Sequence, residues 1–91
     1  MEFEWDQAKA AANKAKHGVD FAQIHDFAWD AAFITEDRRR DYGETRYIGL
    51  GRIAGRTYVV VFTVRAEVVR VIGLRKANKR EVAVYDRQKK A

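Results

Sequence analysis

The chain has 91 residues, no cysteine, no proline and a formal net charge of +5, with a sequence pI near 9.7. That length holds one domain with one modest core, so residues 1–91 are read as a single unit to which burial against a partner would add stability. The missing cysteines exclude a disulfide framework and a thiolate metal site, while the basic balance points to an acidic partner, nucleic acid or protein.

Met1-Glu2-Phe3-Glu4-Trp5-Asp6 lacks the basic start and apolar centre of a signal peptide. No later run approaches the roughly 20 apolar residues of a membrane span. The expectation is a cytoplasmic protein that neither enters nor crosses a membrane. Phe3 to Trp5 reads as a short strand, and Asp6 as the N-cap of a helix whose Ala8, Ala11, Ala12 and Ala15 follow the i, i+3, i+4, i+7 pattern. Gly18 ends it. A second helix is predicted from Asp20, with Gln23 in the capping-box position, Val19 stapled to Ile24, and Phe21, Ile24, Phe27 and Ala28 on its apolar face.

From Ala32 the period changes to that of strands: 32–36, 46–53, 56–65 and 68–74, rich in Val, Ile, Thr, Tyr and Phe. Two-residue turns at Ala54-Gly55 and Ala66-Glu67 would set Ile53 opposite Arg56 and Arg65 opposite Val68. That register aligns Arg46, Thr63 and Arg70 in a row, with Arg65 on the same face. The other face carries Tyr47, Tyr58, Val60, Phe62, Val64, Val69 and Val71 and is apolar enough to receive the two N-terminal helices. Gly49 and Gly51 face Val60 and Tyr58, where they make room for those side chains. Asn78 and Glu81 then form a capping arrangement for a last helix through Val82 and Tyr85.

Arginine is costly to bury without a partner, so Arg46, Arg65, Arg70 and Arg75 on or beside apolar strands suggest a surface that receives an anion, read as RNA phosphate. The start of the last helix adds unpaired backbone N–H groups and a positive dipole end, reinforced by Arg75, Lys76, Lys79 and Arg80. Lys79 and Arg80 also have a simpler explanation as a solvated face. His17 fits a cationic cap of its helix C-terminus rather than a catalytic group, and His25 an ordinary helix residue. Trp5 and Tyr47 fit a core, whereas Tyr42, beside Arg38-Arg39-Arg40, is placed to meet a base or a partner.

Four blocks carry a resemblance to a known family: Phe3-Glu4-Trp5-Asp6, Lys16-His17-Gly18-Val19-Asp20-Phe21, Asp41-Tyr42-Gly43-Glu44-Thr45-Arg46-Tyr47, and Arg70-Val71-Ile72-Gly73-Leu74-Arg75-Lys76-Ala77-Asn78-Lys79-Arg80-Glu81. Over nearly the whole chain the sequence resembles the BrnT toxins of bacterial type II toxin–antitoxin pairs. Family members carry Ser and Ala where Gly73 and Leu74 stand, and Gly where Ala66 stands. The resemblance implies a small RelE-like α+β domain: an antiparallel sheet with two N-terminal helices packed on it and a C-terminal helix. It also implies a ribonuclease that blocks translation and growth.

Internal RNA cleavage needs attack by the 2′-hydroxyl on the adjacent phosphate, stabilisation of developing negative charge, and a proton for the leaving oxygen. Arg65, Arg70 and Arg75 suit the charge, with Lys76 assisting; Arg46, Lys79, Arg80 and Tyr85 would hold RNA. Tyr85 or Glu81 would otherwise move protons or hold the arginines in place. No cofactor and no metal is required by such a mechanism. The partner implied is a BrnA-like ribbon-helix-helix antitoxin, through which alone operator DNA is touched. The residues by themselves leave two other readings open, a non-catalytic nucleic-acid-binding module and a basic protein-interaction subunit.

Overall fold

The structure, a computed structural model, describes residues 1–90; Ala91, counted in the single expected unit, lies outside the described residues. Strand β1 (Glu2–Glu4) leads into helix α1 (Gln7–His17), followed by two short 3₁₀ helices, Phe21–Asp26 and Trp29–Ala31. Strands β2 (Phe33–Asp37), β3 (Arg46–Ile53), β4 (Arg56–Arg65) and β5 (Val68–Lys76) come next, and helix α2 (Lys79–Lys90) closes the described chain. They form an α+β arrangement with one five-stranded sheet in the order β1-β5-β4-β3-β2.

The sheet is mixed, where the sequence suggested an antiparallel one. β2 to β5 are antiparallel neighbours, but β1 runs parallel to β5, with Phe3 opposite Val69 and Glu4 opposite Arg70. The departure has a packing cause: this pairing carries Phe3 onto the face of Val69, where it joins the core, and leaves Glu4 on the other. Both hairpins have the expected register, Ile53 opposite Arg56 and Arg65 opposite Val68. Their turns need positive φ at both central residues, taken by Ala54 and Gly55 (49° and 78°) and by Ala66 and Glu67 (50° and 67°). Ala66 therefore sits where a glycine would be free of strain.

Asp6 caps α1 by accepting from the Ala8 and Lys9 N–H groups, and left-handed Gly18 closes it by donating to the Lys14 carbonyl. α1 has no fully buried residue; Ala10 is its packed alanine. The second N-terminal helix is a 3₁₀ helix rather than an α-helix. Its Asp20–Gln23 capping box forms as expected. Its apolar residues, Phe21, Ile24 and Phe27, recur every third position, and only about three residues per turn brings all of them to one line. All three are buried, with Val19, against Tyr58, Val60, Phe62, Val69, Val71 and Leu74. Trp5 and Tyr47 pack at the margin of this core, as their sequence context suggested.

The opposite face is partly covered by α2, whose Tyr85 is buried with Leu50, Val59 and Ala77, the last in the link between β5 and α2. Beyond α2 that face carries Arg46, Thr63, Arg65 and Arg70, with Val61 and Val68 among them. No helix among the described residues is long and apolar enough to cross a membrane.

Gly49 and Gly51 do make room, with one reassignment. A methyl on Gly49 would stand 3.0 Å from Val60, but one on Gly51 would run into the ring of Phe27, not Tyr58. The 3₁₀ helix is thus seated directly on the backbone of β3. Gly51→Ala is expected to destabilise the fold by about 1–3 kcal/mol, the usual range for overpacking a core. A chemical-denaturation midpoint unchanged from the parent would refute that seating.

Candidate active site

The basic row exists, but it is not bare. Glu4 is opposite Arg70, Arg70 opposite Thr63, and Arg46 opposite Asp37, so acids stand at both ends of the row. Thr63 is buried and its hydroxyl donates to the Thr45 carbonyl at 2.6 Å, tying β4 to the start of β3. Arg70 donates to Glu4 at 2.6 Å, and Arg65 to Glu44 at 2.7 Å. Arg46 lies 3.6 Å from Glu44 and 4.1 Å from the Tyr42 ring centre, while its buried Nε has no hydrogen-bond acceptor. Such partly exposed pairs contribute about 0–1 kcal/mol each, so they orient side chains more than they stabilise the fold.

Tyr42 is occupied within the chain. Its hydroxyl donates to Asp37 at 2.9 Å, and the same carboxylate accepts two bonds from the Arg39 guanidinium and one from its backbone N–H. Those donors, Arg39 first, hold the Asp37 carboxyl far below its ordinary 3.8 although its burial pushes the other way. Arg65 likewise lowers Glu44, and Arg75 lowers Glu81. A carboxyl whose folded-state pKa is depressed contributes stability that is complete above its unfolded value and disappears as pH falls through the folded one. Thermal midpoints are therefore expected to hold from pH 7 to about 5, then fall below the ordinary 4.5 and 3.8 of Glu and Asp. Asp37→Asn should flatten the acid end of that curve; an equal slope in parent and variant would remove Asp37 from the account.

Arg75 is set differently from its neighbours. Val61 pairs with Gly73 while Phe62 pairs with Val71, so Ile72 is an extra residue, a β-bulge in β5. Uninterrupted alternation would have put Arg75 on the Val69 and Val71 face. Past the bulge Leu74 turns into that core, 1% exposed, and Arg75 opposite Val59 turns toward α2. There Nη1 and Nη2 donate to the two oxygens of Glu81 at 2.8 and 2.7 Å. Glu81 also accepts from the Asn78 N–H and Asn78 from the Glu81 N–H, which completes the capping box at the start of α2. The guanidinium edge formed by Nε and Nη2 has no acceptor for Nε among the described residues. Arg70 uses only Nη1 and keeps the same edge open.

The structure brings Arg46, Arg65, Arg70 and Arg75 to one face and separates Lys76 from them. Lys76 is exposed opposite Tyr58, on the face of the larger core. Lys79 and Arg80 are exposed in the first turn of α2. Tyr85, assigned to RNA contact, is 1% exposed and its hydroxyl donates to the Ala31 carbonyl at 2.9 Å; a ring enclosed this way has no face for a base. His17 is exposed in the last turn of α1, and His25 is exposed against the edge of Phe3.

Sequence reasoning missed Glu4 and Glu44, which seat Arg70, Arg65 and Arg46, it missed Asp37, which holds Arg39 and Tyr42, and it missed Asn13. From α1, the Asn13 amide donates to the carbonyls of Val19 at 3.1 Å and Leu74 at 2.8 Å, and accepts from the Leu74 N–H at 3.3 Å. The available signal was an asparagine, a poor helix former, in the middle of a helix of alanines and lysines.

No curated protein matches the chain. A family model described as ribonuclease toxin, BrnT, of type II toxin–antitoxin system matches residues 5–81, a span that takes in α1, the four antiparallel strands and the Arg75–Glu81 pair. With that match over most of its length, the chain belongs to the BrnT family of ribonuclease toxins of type II toxin–antitoxin systems.

Proposed function

We propose that the chain is a metal-independent endoribonuclease whose working surface is the sheet face holding Arg46, Arg65, Arg70 and Arg75. The observation that carries this is the open Nε/Nη2 edge of Arg75 beside a carboxylate that has already fixed its plane. A guanidinium can hold two acceptors on two edges at once, so Glu81 orients the group and leaves a planar fork for phosphate oxygens. Arg75 also stays charged, its pKa raised first by the hydrogen bonds to Glu81.

In the reaction the 2′-hydroxyl gives its proton to water as its oxygen bonds to phosphorus, a 2′,3′-cyclic phosphate forms, the bond to the 5′-oxygen breaks and that oxygen takes a proton from water. Arg75 stabilises the charge on the non-bridging oxygens as it grows, and Arg70 holds a neighbouring phosphate of the same chain. Their positions favour a chain over a lone phosphate. Arg70 and Arg75 stand opposite Thr63 and Val59, four residues apart along β4, or about 14 Å at ~3.4 Å per residue. Arg65, Arg46, Lys79 and Arg80 flank this path.

The single domain is RelE-like and acts in the cytoplasm to cut RNA and stop translation. Its partner is a BrnA-like ribbon-helix-helix antitoxin, which neutralises it and supplies the contacts to operator DNA. The test is incubation of the purified chain with a structured RNA in EDTA. Fragments ending in a cyclic phosphate and a 5′-hydroxyl are expected. RNA left intact but retained in a shift assay would replace the enzyme by a binding module, and absence of both would leave a protein-interaction subunit.

A further inference from the structure

The bulge at Ile72 decides which face Arg75 occupies, and one side chain outside the sheet grips the strand just beyond it. We propose that Asn13 is a positioning residue for Arg75: by holding Leu74 at both its carbonyl and its N–H, it locks the register that turns Arg75 toward Glu81. The proposal rests on the reading of Arg75 as the phosphate-holding group.

A bulge has a cost. One extra residue interrupts the ladder and leaves unpaired backbone groups, and strands escape this by slipping to regular pairing. A slip in β5 would drive Arg75 into the core of Val60 and Phe62 and expel Leu74, which is 1% exposed. The barrier to such loosening is set at Leu74. Two of the Asn13 hydrogen bonds reach it, and a third ties the same amide to Val19, the buried residue after the α1 cap. The amide is thus carried by α1 and held by the link between α1 and the 3₁₀ helix that follows. At Gly73 a Cβ would lie 3.9 Å from Val61 and 4.0 Å from Asn13, ordinary contact distances, so the hold on this segment comes from the Asn13 amide and not from a missing side chain. Bulges beside working sites re-aim a side chain in this manner.

Removing Ile72 supplies the control. Without it Gly73 falls opposite Val61 by ordinary alternation, and Leu74 and Arg75 keep the partners they have now. The register then needs no lock.

The experiment compares Asn13→Ala, deletion of Ile72, and both together, each shown by circular dichroism to be folded. It reads the Arg75 Nε–Hε resonance by NMR and the first-order cleavage rate at saturating RNA. In Asn13→Ala the resonance is expected to move toward that of a solvent-exposed arginine and the rate to fall about 100-fold, the scale of a misplacement near 1 Å. In the double variant both return to the parent values. An unmoved resonance in folded Asn13→Ala, or no recovery in the folded double variant, would overturn the proposal. Should Asn13→Ala fail to fold, Asn13→Ser, too short to reach both Val19 and Leu74, gives the same reading. Should the parent cleave no RNA, the enzymatic reading fails by itself and the resonance still decides the role of Asn13.

Discussion

Arg75→Ala is expected to lower the RNA cleavage rate by about 10²–10³-fold, the usual loss when one preorganised donor to a developing oxyanion is removed. The fold should survive. Arg75 and Glu81 are 36% and 24% exposed, and Glu81 keeps its bond to the Asn78 N–H, so the lost pair costs about 1 kcal/mol at most. Arg75→Lys should recover little, because an ammonium is a point charge without the two edges that serve carboxylate and phosphate together. Glu81→Gln separates orientation from charge: it retains a side chain at the capping position but loses the second acceptor, so the rate should fall while RNA affinity at low salt stays near that of the parent. The measurement is single-turnover cleavage beside a binding isotherm. An Arg75→Ala protein that cleaves within twofold of the parent would move the chemistry elsewhere on the face.

Most of the fold was legible because its signals are local. The caps at Asp6 and Asp20, the stop at Gly18 and the two hairpin turns each rest on residues adjacent in sequence, and all appear where the sequence put them. What was not legible depended on neighbours distant in the chain. The 3₁₀ form of residues 21–26 follows from a three-residue spacing that a short α-helical pattern also tolerates, and only the seat of Phe27 over Gly51 decides it. The parallel pairing of β1 is a matter of where Phe3 finds a core. The row of Arg46, Thr63 and Arg70 was correctly aligned from turn geometry, yet the carboxylates that balance it come from two other segments, β1 and the loop before β3. The bulge is the clearest case. Nothing in Val71-Ile72-Gly73 marks the extra residue, and the side chain that grips the strand beyond it, Asn13, is 61 positions away from Leu74 in sequence. Arg75 was therefore named as a candidate without a reason for the face it occupies.

Tyr85 carries the second large effect and shows how composition misleads at a basic helix. Beside Asp86-Arg87-Gln88-Lys89 an aromatic ring resembles a base-stacking platform, and Arg52 and Lys89 do approach it, at 5.6 and 5.9 Å from its centre. The ring itself is buried between α2 and the sheet, with Leu50, Val59 and Ala77. Tyr85→Ala is therefore expected to cost about 3–5 kcal/mol, as aromatic truncation in a core does, out of the about 5–15 kcal/mol that such a domain possesses. Tyr85→Phe loses only the bond to Ala31 and should cost about 1 kcal/mol. The consequence reaches the site, because α2 carries Glu81 and the Asn78 cap. As α2 loosens, the carboxylate that fixes the plane of Arg75 leaves with it, so cleavage by Tyr85→Ala should decline in step with loss of helical signal at 222 nm on mild heating. A stacking role predicts the reverse pattern: unchanged melting, and RNA affinity lowered by the roughly 1–3 kcal/mol of one lost base contact.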